Sequence, residues 1–210
     1  PMMLIEHGEY ILPSNVPANE FMNLEGEKIS TSKNWAVWLH DYLDEFPNQQ
    51  DVLRYVLTSN APESKDSDFT WKDFQAKNNN ELVASYGNFI NRVFVLCHKF
   101  FNGKIPSKGL FKKEEDKILY SIIDIRDKIE NSIEKFKFRE ALTLLMDLSR
   151  IGNKYLTDTE PWKIIKEDKE RAETILYVSL QIVCNLAILS TPFLPFTSNK
   201  IFKLLNVKTK

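Results

Sequence analysis

Over the last two thirds of the chain, apolar residues recur in steps of three or four. Leu82, Tyr86, Phe89, Val93, Leu96 and Phe100 follow this rule and predict one long helix, Phe74 to Phe101, ended by Asn102-Gly103. Ile118, Ile122, Ile125 and Ile129 predict a second, Lys112 to Phe136. Ala141, Leu144, Leu145 and Leu148 predict a third, Phe138 to Leu156, followed by a break at Thr159-Glu160-Pro161-Trp162. Glu167 to Ser190 is the fourth. After Pro192 and Pro195 a short helix, Phe196 to Leu205, closes the pattern. Four long helices with short connections predict an antiparallel helical bundle over residues 71–210.

The front of the chain reads differently. Residues 1–33 show no helical period. Tyr10-Ile11-Leu12 and Phe21-Met22-Asn23-Leu24 predict short strands, punctuated by Pro13, Pro17 and the turn Glu25-Gly26-Glu27. Asn34 is placed to cap a helix from Trp35 to Leu43, and Asp51 to cap one through Val52, Leu53, Tyr55, Val56 and Leu57. Pro47-Asn48 separates the two. Asn60 to Asp68, with Pro62 and its charged and hydroxyl residues, predicts a loop. The fold class is therefore mostly α, with a small mixed α/β segment over residues 1–70 ahead of the bundle.

Composition narrows this picture. A chain of 210 residues holds one ordinary domain, or one domain and a piece of another. Hydrophobic residues at 43% and charged residues at 27% are ordinary for a soluble globular protein, and 14 Phe imply a bulky core. The net charge of -1 excludes nucleic-acid binding by overall charge, so any RNA affinity needs a local patch. Cys97 and Cys184 stand far apart. They form neither a metal knuckle nor a disulfide framework, and read as reduced core thiols of a cytoplasmic protein. The apolar run Ile175 to Leu189 is broken by Ser179, Gln181 and Asn185, which predicts a core helix rather than a membrane span. The opening Pro1-Met2-Met3-Leu4 shows no leader and suggests a piece of a longer protein.

Three features carry candidate chemistry. Lys28-Ile29-Ser30-Thr31-Ser32-Lys33 follows a hairpin and precedes the expected helix at Trp35. Two ammonium groups and three hydroxyls beside a helix N-terminus suit phosphate binding, and a lysine there neutralises charge developing on a leaving pyrophosphate. The plain alternative is a polar surface loop. The second feature is a stretch of 32 residues, Leu82 to Lys113, with no Asp or Glu and with Arg92, Lys99, Lys104, Lys108, Lys112 and Lys113. On its helix Asn88, Arg92, Val95 and Lys99 share a face, flanked by Asn91 and His98. Such a face binds phosphates and base edges, or is simply solvated. The third is Pro161-Trp162 in an inter-helix break, where the indole is either a core plug or a stacking platform for an unstacked base. His7, His40 and His98 are scattered and support no nucleophile–base pair. The pair Glu114-Glu115 sits at a helix start, where it favours the dipole.

Taken in order along the chain, these residues resemble one family. Phe21 to Ser32 is similar to the strand, turn and loop that bear the KMSKS signature of class I aminoacyl-tRNA synthetases. Lys28, Ser30 and Ser32 match the motif, Ile29 stands for its Met, and Thr31 stands for its second Lys. Asp51-Val52-Leu53-Arg54-Tyr55, Asp68-Phe69-Thr70-Trp71 with Phe74, Gly87 to Val93, and Tyr155-Leu156 ahead of Pro161-Trp162-Lys163 resemble methionyl-tRNA synthetases across essentially the whole chain. Order and spacing fit that family better than the related enzymes for Leu, Ile, Val or Cys.

The resemblance implies a methionine–tRNA ligase that activates methionine with ATP, accompanied by Mg, and transfers it to tRNA. Lys28 would act on the ATP phosphates, with Ser30, Ser32 and Lys33 beside it in the catalytic loop. Lys28 and Lys33 would supply the charge that Thr31 lacks. Trp162 would stack on an anticodon base in a loop shaped by Pro161, with Lys99 in the place of an arginine. Val95 stands where asparagine is usual, and Asn91 and Arg92 lie one turn earlier as substitutes. No metal site of the chain's own is implied. An upstream HIGH-type motif, a parallel sheet and the Cys-rich knuckle of many members are not in this sequence, so these residues alone are expected not to form methionyl-adenylate. Two other classes compete: a free-standing helical RNA-binding module without ligase activity, and a helical scaffold that binds no RNA. The loop at Lys28 to Lys33 separates the ligase from the module. The basic stretch and Trp162 separate both from the scaffold.

Overall fold

In the computed structural model, which describes residues 2–11 and 13–207, the long helices stand where the apolar period places them. The order is α1 (Met2–His7), β1 (Met22–Leu24), β2 (Glu27–Lys28), α2 (Leu39–Glu45), α3 (Gln50–Ser59), β3 (Ser67–Phe69) and α4 (Trp71–Lys77). A wide π-helical segment, Asn78–Gly87, then leads into α5 (Asn88–Phe101). The bundle continues with α6 (Lys113–Glu134), α7 (Phe138–Thr159), the single turn α8 (Pro161–Ile164), α9 (Lys169–Leu189) and α10 (Pro195–Leu204).

The front third differs from expectation in five places, the last of them at Asp51, described below. Met2–His7 is helical, where no helix was expected. Tyr10 and Ile11 pair with no strand, and Leu12 lies outside the described residues. The helix expected from Trp35 begins only at Leu39, because the Trp35 backbone is taken by a two-way hydrogen-bond pair with Ser30, at 2.9 Å each way. The loop expected over Asn60 to Asp68 ends in β3, which pairs in parallel with β1 and makes a three-stranded sheet of order β2-β1-β3. That pairing joins residues more than forty apart, beyond the reach of a local pattern.

Helix α7 packs against α6, α9 and α5, and α10 lies on α9 and α3. Phe89, Val93, Leu145, Leu148, Leu156, Ile175 and Leu186 are fully enclosed. Helix α9 is long and apolar enough to cross a bilayer. Here it is the innermost helix, with Leu176, Val178, Ile182 and Val183 buried among its neighbours. Burial pushes the Cys97 thiol up to about 11, which keeps it an inert apolar filler at neutral pH.

Asp51 does not cap its own helix. It lies in the first turn of α3, and its carboxylate accepts hydrogen bonds from the backbone N–H of Thr197 at 2.6 Å and of Phe196 at 3.4 Å, at the start of α10. One turn on, Arg54 donates to the carbonyls of Pro192 at 2.7 Å and Phe193 at 3.2 Å. A charged pair on α3 thus clamps the proline corner before α10, where the chain turns away from α9.

Gly152 sets the spacing of α5 and α7. A Cβ at this position would lie 2.5 Å from the Phe89 ring, which is fully buried and has no room to retreat. Gly152→Ala is therefore expected to destabilise the fold by about 1–3 kcal/mol through overpacking, despite alanine's better helix propensity. Urea unfolding measures this directly, and an unchanged midpoint would mean that the two helices separate freely.

Candidate functional site

The loop at Lys28 to Lys33 is built from its base. Leu24-Glu25-Gly26-Glu27 makes a two-residue hairpin turn, with φ of 51° at Glu25 and 80° at Gly26, the doubly left-handed turn that suits strand twist. The Asp68 carboxylate accepts the Gly26 N–H, both oxygens at 3.0 Å, and the Glu25 carboxylate accepts the Trp71 N–H at 2.8 Å. The Trp35 indole N–H donates to the Leu24 carbonyl at 3.1 Å. With the Ser30–Trp35 backbone pair this fixes both ends of an exposed tip, Thr31 to Asn34. At the tip the Ser30 and Ser32 hydroxyls lie 3.2 Å apart. The Lys28 ammonium sits 5.7 Å from the Phe21 ring centroid, and neither Lys28 nor Lys33 forms an ion pair among the described residues. One expectation is corrected. Because α2 starts at Leu39, the loop does not lead directly into a helix N-terminus: Trp35 to Trp38 intervene, and the Trp38 indole N–H donates to the Asn34 side-chain oxygen at 3.0 Å.

The second constellation lies on α5. Phe89, Val93 and Cys97 face the core, whereas Asn88, Asn91, Val95, His98 and Lys99 are exposed. Asn91, Val95 and Lys99, spaced one turn apart, line one wall of an apolar cleft of about 870 Å³. Leu194, Ile201, Leu204 and Lys200, on and beside α10, face them across it. The imidazole of His98 lies under Gly103, whose φ of 72° completes the end of α5 after the left-handed Asn102.

Arg92 stands on the neighbouring edge of α5, and there the structure brings two expected residues together. Its guanidinium carbon lies 5.5 Å from the centroid of the Trp162 ring, within cation–π range. Trp162 is half-buried, and Pro161 before it is buried as the first residue of α8. Glu160, left-handed at φ 41°, both ends α7 and starts α8, so the chain turns sharply just ahead of the indole. Asn153 on α7 was not anticipated. Its side-chain N–H groups donate to the carbonyls of Ser85 at 2.9 Å and Ser149 at 3.2 Å, so its oxygen turns to Asn88 at 3.2 Å and Arg92 at 3.4 Å. The only local hint is Gly152 beside it, which lets α7 come close enough for Asn153 to reach α5. Among the described residues, no hydrogen bond, ion pair or pocket joins this constellation to the loop at Lys28 to Lys33. None of the described His, Cys, Asp or Glu residues cluster in threes as a metal would need.

Comparison with known proteins divides the chain inside and just after α5, with Asn91 and Arg92 in the first match and Trp162 in the second. The family described as the anticodon binding domain of methionyl tRNA ligase matches residues 105–210, and the class I tRNA synthetases (M) match residues 1–94. The chain belongs to the methionyl-tRNA synthetase family. Methionine–tRNA ligases of Christiangramia forsetii and Cytophaga hutchinsonii are 64% and 62% identical over 98% and 99% of the chain. The chain spans 30% of the length of each. The methionyl-tRNA synthetase of Mycobacterium tuberculosis, solved in complex with methionyl-adenylate, superposes at a TM-score of 0.90 and 25% identity, over 99% of this chain and 41% of that one. The resemblance to methionyl-tRNA synthetases seen in the sequence thus holds across both regions, and so does the mostly α architecture.

Proposed function

We propose that this chain is the part of a methionine–tRNA ligase that carries the pyrophosphate-handling loop and reads the anticodon. In the whole cytoplasmic enzyme methionine is activated with ATP, which brings its Mg as part of the substrate, and is then passed to tRNA. The division of labour follows residues 1–70 and 71–210: the first supplies the end of the catalytic region, the second the anticodon reader. The observation that carries this reading is the half-buried Trp162, held beside Arg92 at the acid-free polar edge of α5. A partly exposed indole with a guanidinium at its ring suits an unstacked nucleobase, whose phosphates Lys99 can meet from two turns further along α5. Asn91 offers an amide to a base edge, partly replacing the hydrogen-bonding group that Val95 lacks.

The test is binding of a stem-loop RNA that carries the methionine anticodon, beside an anticodon-scrambled control. Trp162→Ala is expected to weaken the first by about 1–3 kcal/mol, roughly 5- to 150-fold, with little change in thermal stability. A core plug would instead show itself as a stability loss of about 3–5 kcal/mol with binding lost only through unfolding. Lys99→Ala is expected to weaken both RNAs alike and to reduce the salt dependence. Equal binding of the two stem-loops by the unaltered protein would refute anticodon reading.

A further inference from the structure

Arg92 is a half-buried cation with no carboxylate partner among the described residues. Among the described residues its guanidinium meets only the Trp162 ring, at 5.5 Å, and the Asn153 amide oxygen, at 3.4 Å. That oxygen is not free to turn away. Both Asn153 N–H groups are spent on the carbonyls of Ser85 and Ser149, so the amide has one orientation that satisfies every atom, and it presents the oxygen to Asn88 and Arg92. A rigid relay therefore runs from the α7 and π-segment backbones, through Asn153 and Arg92, to the indole. Gly152, one residue before Asn153, holds α5 and α7 close enough for the relay to form.

We infer that Arg92 is a positioning residue for Trp162: its planar guanidinium, aimed by Asn153, fixes the indole in the orientation that an anticodon base meets. This rests on the proposed anticodon reading. The physical argument is one of ordering cost. An indole on a four-residue turn samples several rotamers, and a base that stacks on it must select one. A guanidinium held 5.5 Å from the ring centroid in the free protein favours one of them before any RNA arrives. Arg92 thus raises affinity without touching the RNA, and its effect passes entirely through Trp162. A phosphate contact would behave differently, because it would release a counterion and would act whether or not the indole is present.

The two roles separate in one set of measurements on the full chain with the methionine stem-loop, taken at several salt concentrations. Arg92→Ala is expected to weaken binding by roughly 2- to 30-fold. The slope of affinity against salt should stay unchanged, and the loss should vanish in a Trp162→Ala background. Asn153→Ala should reproduce the loss in part. Arg92→Lys keeps the charge and protects against a simple folding failure, yet lacks the planar fork that can face the ring and meet the amide at once, so it too should bind more weakly. A slope reduced by about one, full additivity with Trp162→Ala, or wild-type binding by Arg92→Lys would each overturn the inference while leaving anticodon reading intact. Undiminished binding by Trp162→Ala would overturn both.

Discussion

Lys28→Ala in the full-length enzyme is expected to lower methionine-dependent pyrophosphate exchange by about 10²- to 10³-fold, with little change in the KM for ATP and none in thermal stability. The geometry of the loop motivates all three parts. Lys28 is exposed at the end of β2 and, among the described residues, pairs with no carboxylate, only with the face of Phe21 at 5.7 Å. An ammonium surrounded by water is worth about 1 kcal/mol to a charge 4 Å away, so removing it should barely affect the fold or the ground-state complex. Its value changes when charge builds on the departing pyrophosphate in a site that excludes water, and interactions made only there appear in the rate. The hydrogen bonds beneath the loop, from the Gly26 N–H to Asp68 and from the Trp35 indole to Leu24, hold its base and leave the tip exposed. Thr31 puts a hydroxyl where the KMSKS signature has its second lysine. If Lys33 supplies the missing charge, Lys33→Ala should also slow exchange, and Thr31→Lys added to it should restore the rate. Exchange that is unchanged in Lys28→Ala would reduce the loop to solvated surface.

The bundle was legible because its evidence is local and repeated. Ile118, Ile122, Ile125 and Ile129 announce their face within a single helix, and all four are buried. The features that the pattern missed or misread depend on partners far away in sequence. Trp35 and Trp38 have helical spacing, but Trp35 is claimed by Ser30 and Leu24, and the helix waits for Leu39. Ser67 to Phe69 looks like the tail of a polar loop until β1 is beside it. Asp51 has the chemistry of a cap, and it is one, but for a helix 146 positions away. The stretch Asn78–Gly87 is helical as expected, yet its wider hydrogen-bond register, with Asn88 N–H meeting the Val83 carbonyl, leaves no trace in side-chain type. The same division holds at the candidate site. Trp162 and Arg92 each stood out from their own surroundings. Their contact, and the Asn153 amide behind it, follow from how α5, α7 and α8 pack, which no spacing rule encodes.

A larger stability effect is expected at Glu115, which the sequence offered only as a helix-start charge. It is fully buried and ties together three helices. One oxygen accepts the Lys112 N–H at 2.7 Å, capping α6, and the other accepts the Arg171 guanidinium from α9 and the Tyr155 hydroxyl from α7, each at 2.7 Å. Burial pushes this carboxyl up, but the Arg171, Tyr155 and Lys112 hydrogen bonds outweigh it and hold it at about 2, well below its ordinary 4.5. The same contact raises Arg171, and burial together with Glu115 raises the Tyr155 phenol, so at neutral pH the carboxylate and guanidinium are both charged and the phenol is protonated. Glu115→Gln would strand Arg171, whose Nη1 already lacks a partner among the described residues, as a buried charge without its counter-ion. The expected loss is about 3–5 kcal/mol at pH 7. Replacing Glu115 and Arg171 together by methionine should cost less than Glu115→Gln alone, because no charge is then left uncompensated. The pH dependence has a definite sign. A carboxyl whose folded pKa is depressed favours the folded state fully above its ordinary range, and that favour drains away as pH falls from about 5 towards 2. Urea unfolding across this window should therefore show a steeper acid loss for the unaltered protein than for Glu115→Gln. Parallel curves would deny the carboxylate its structural role. Tyr155 also links this stability to function, because its carbonyl accepts the Thr159 hydroxyl just before Glu160, Pro161 and Trp162. Loosening Glu115 should thus loosen the turn that presents the indole, and stem-loop affinity should fall under conditions where the rest of the bundle is still folded.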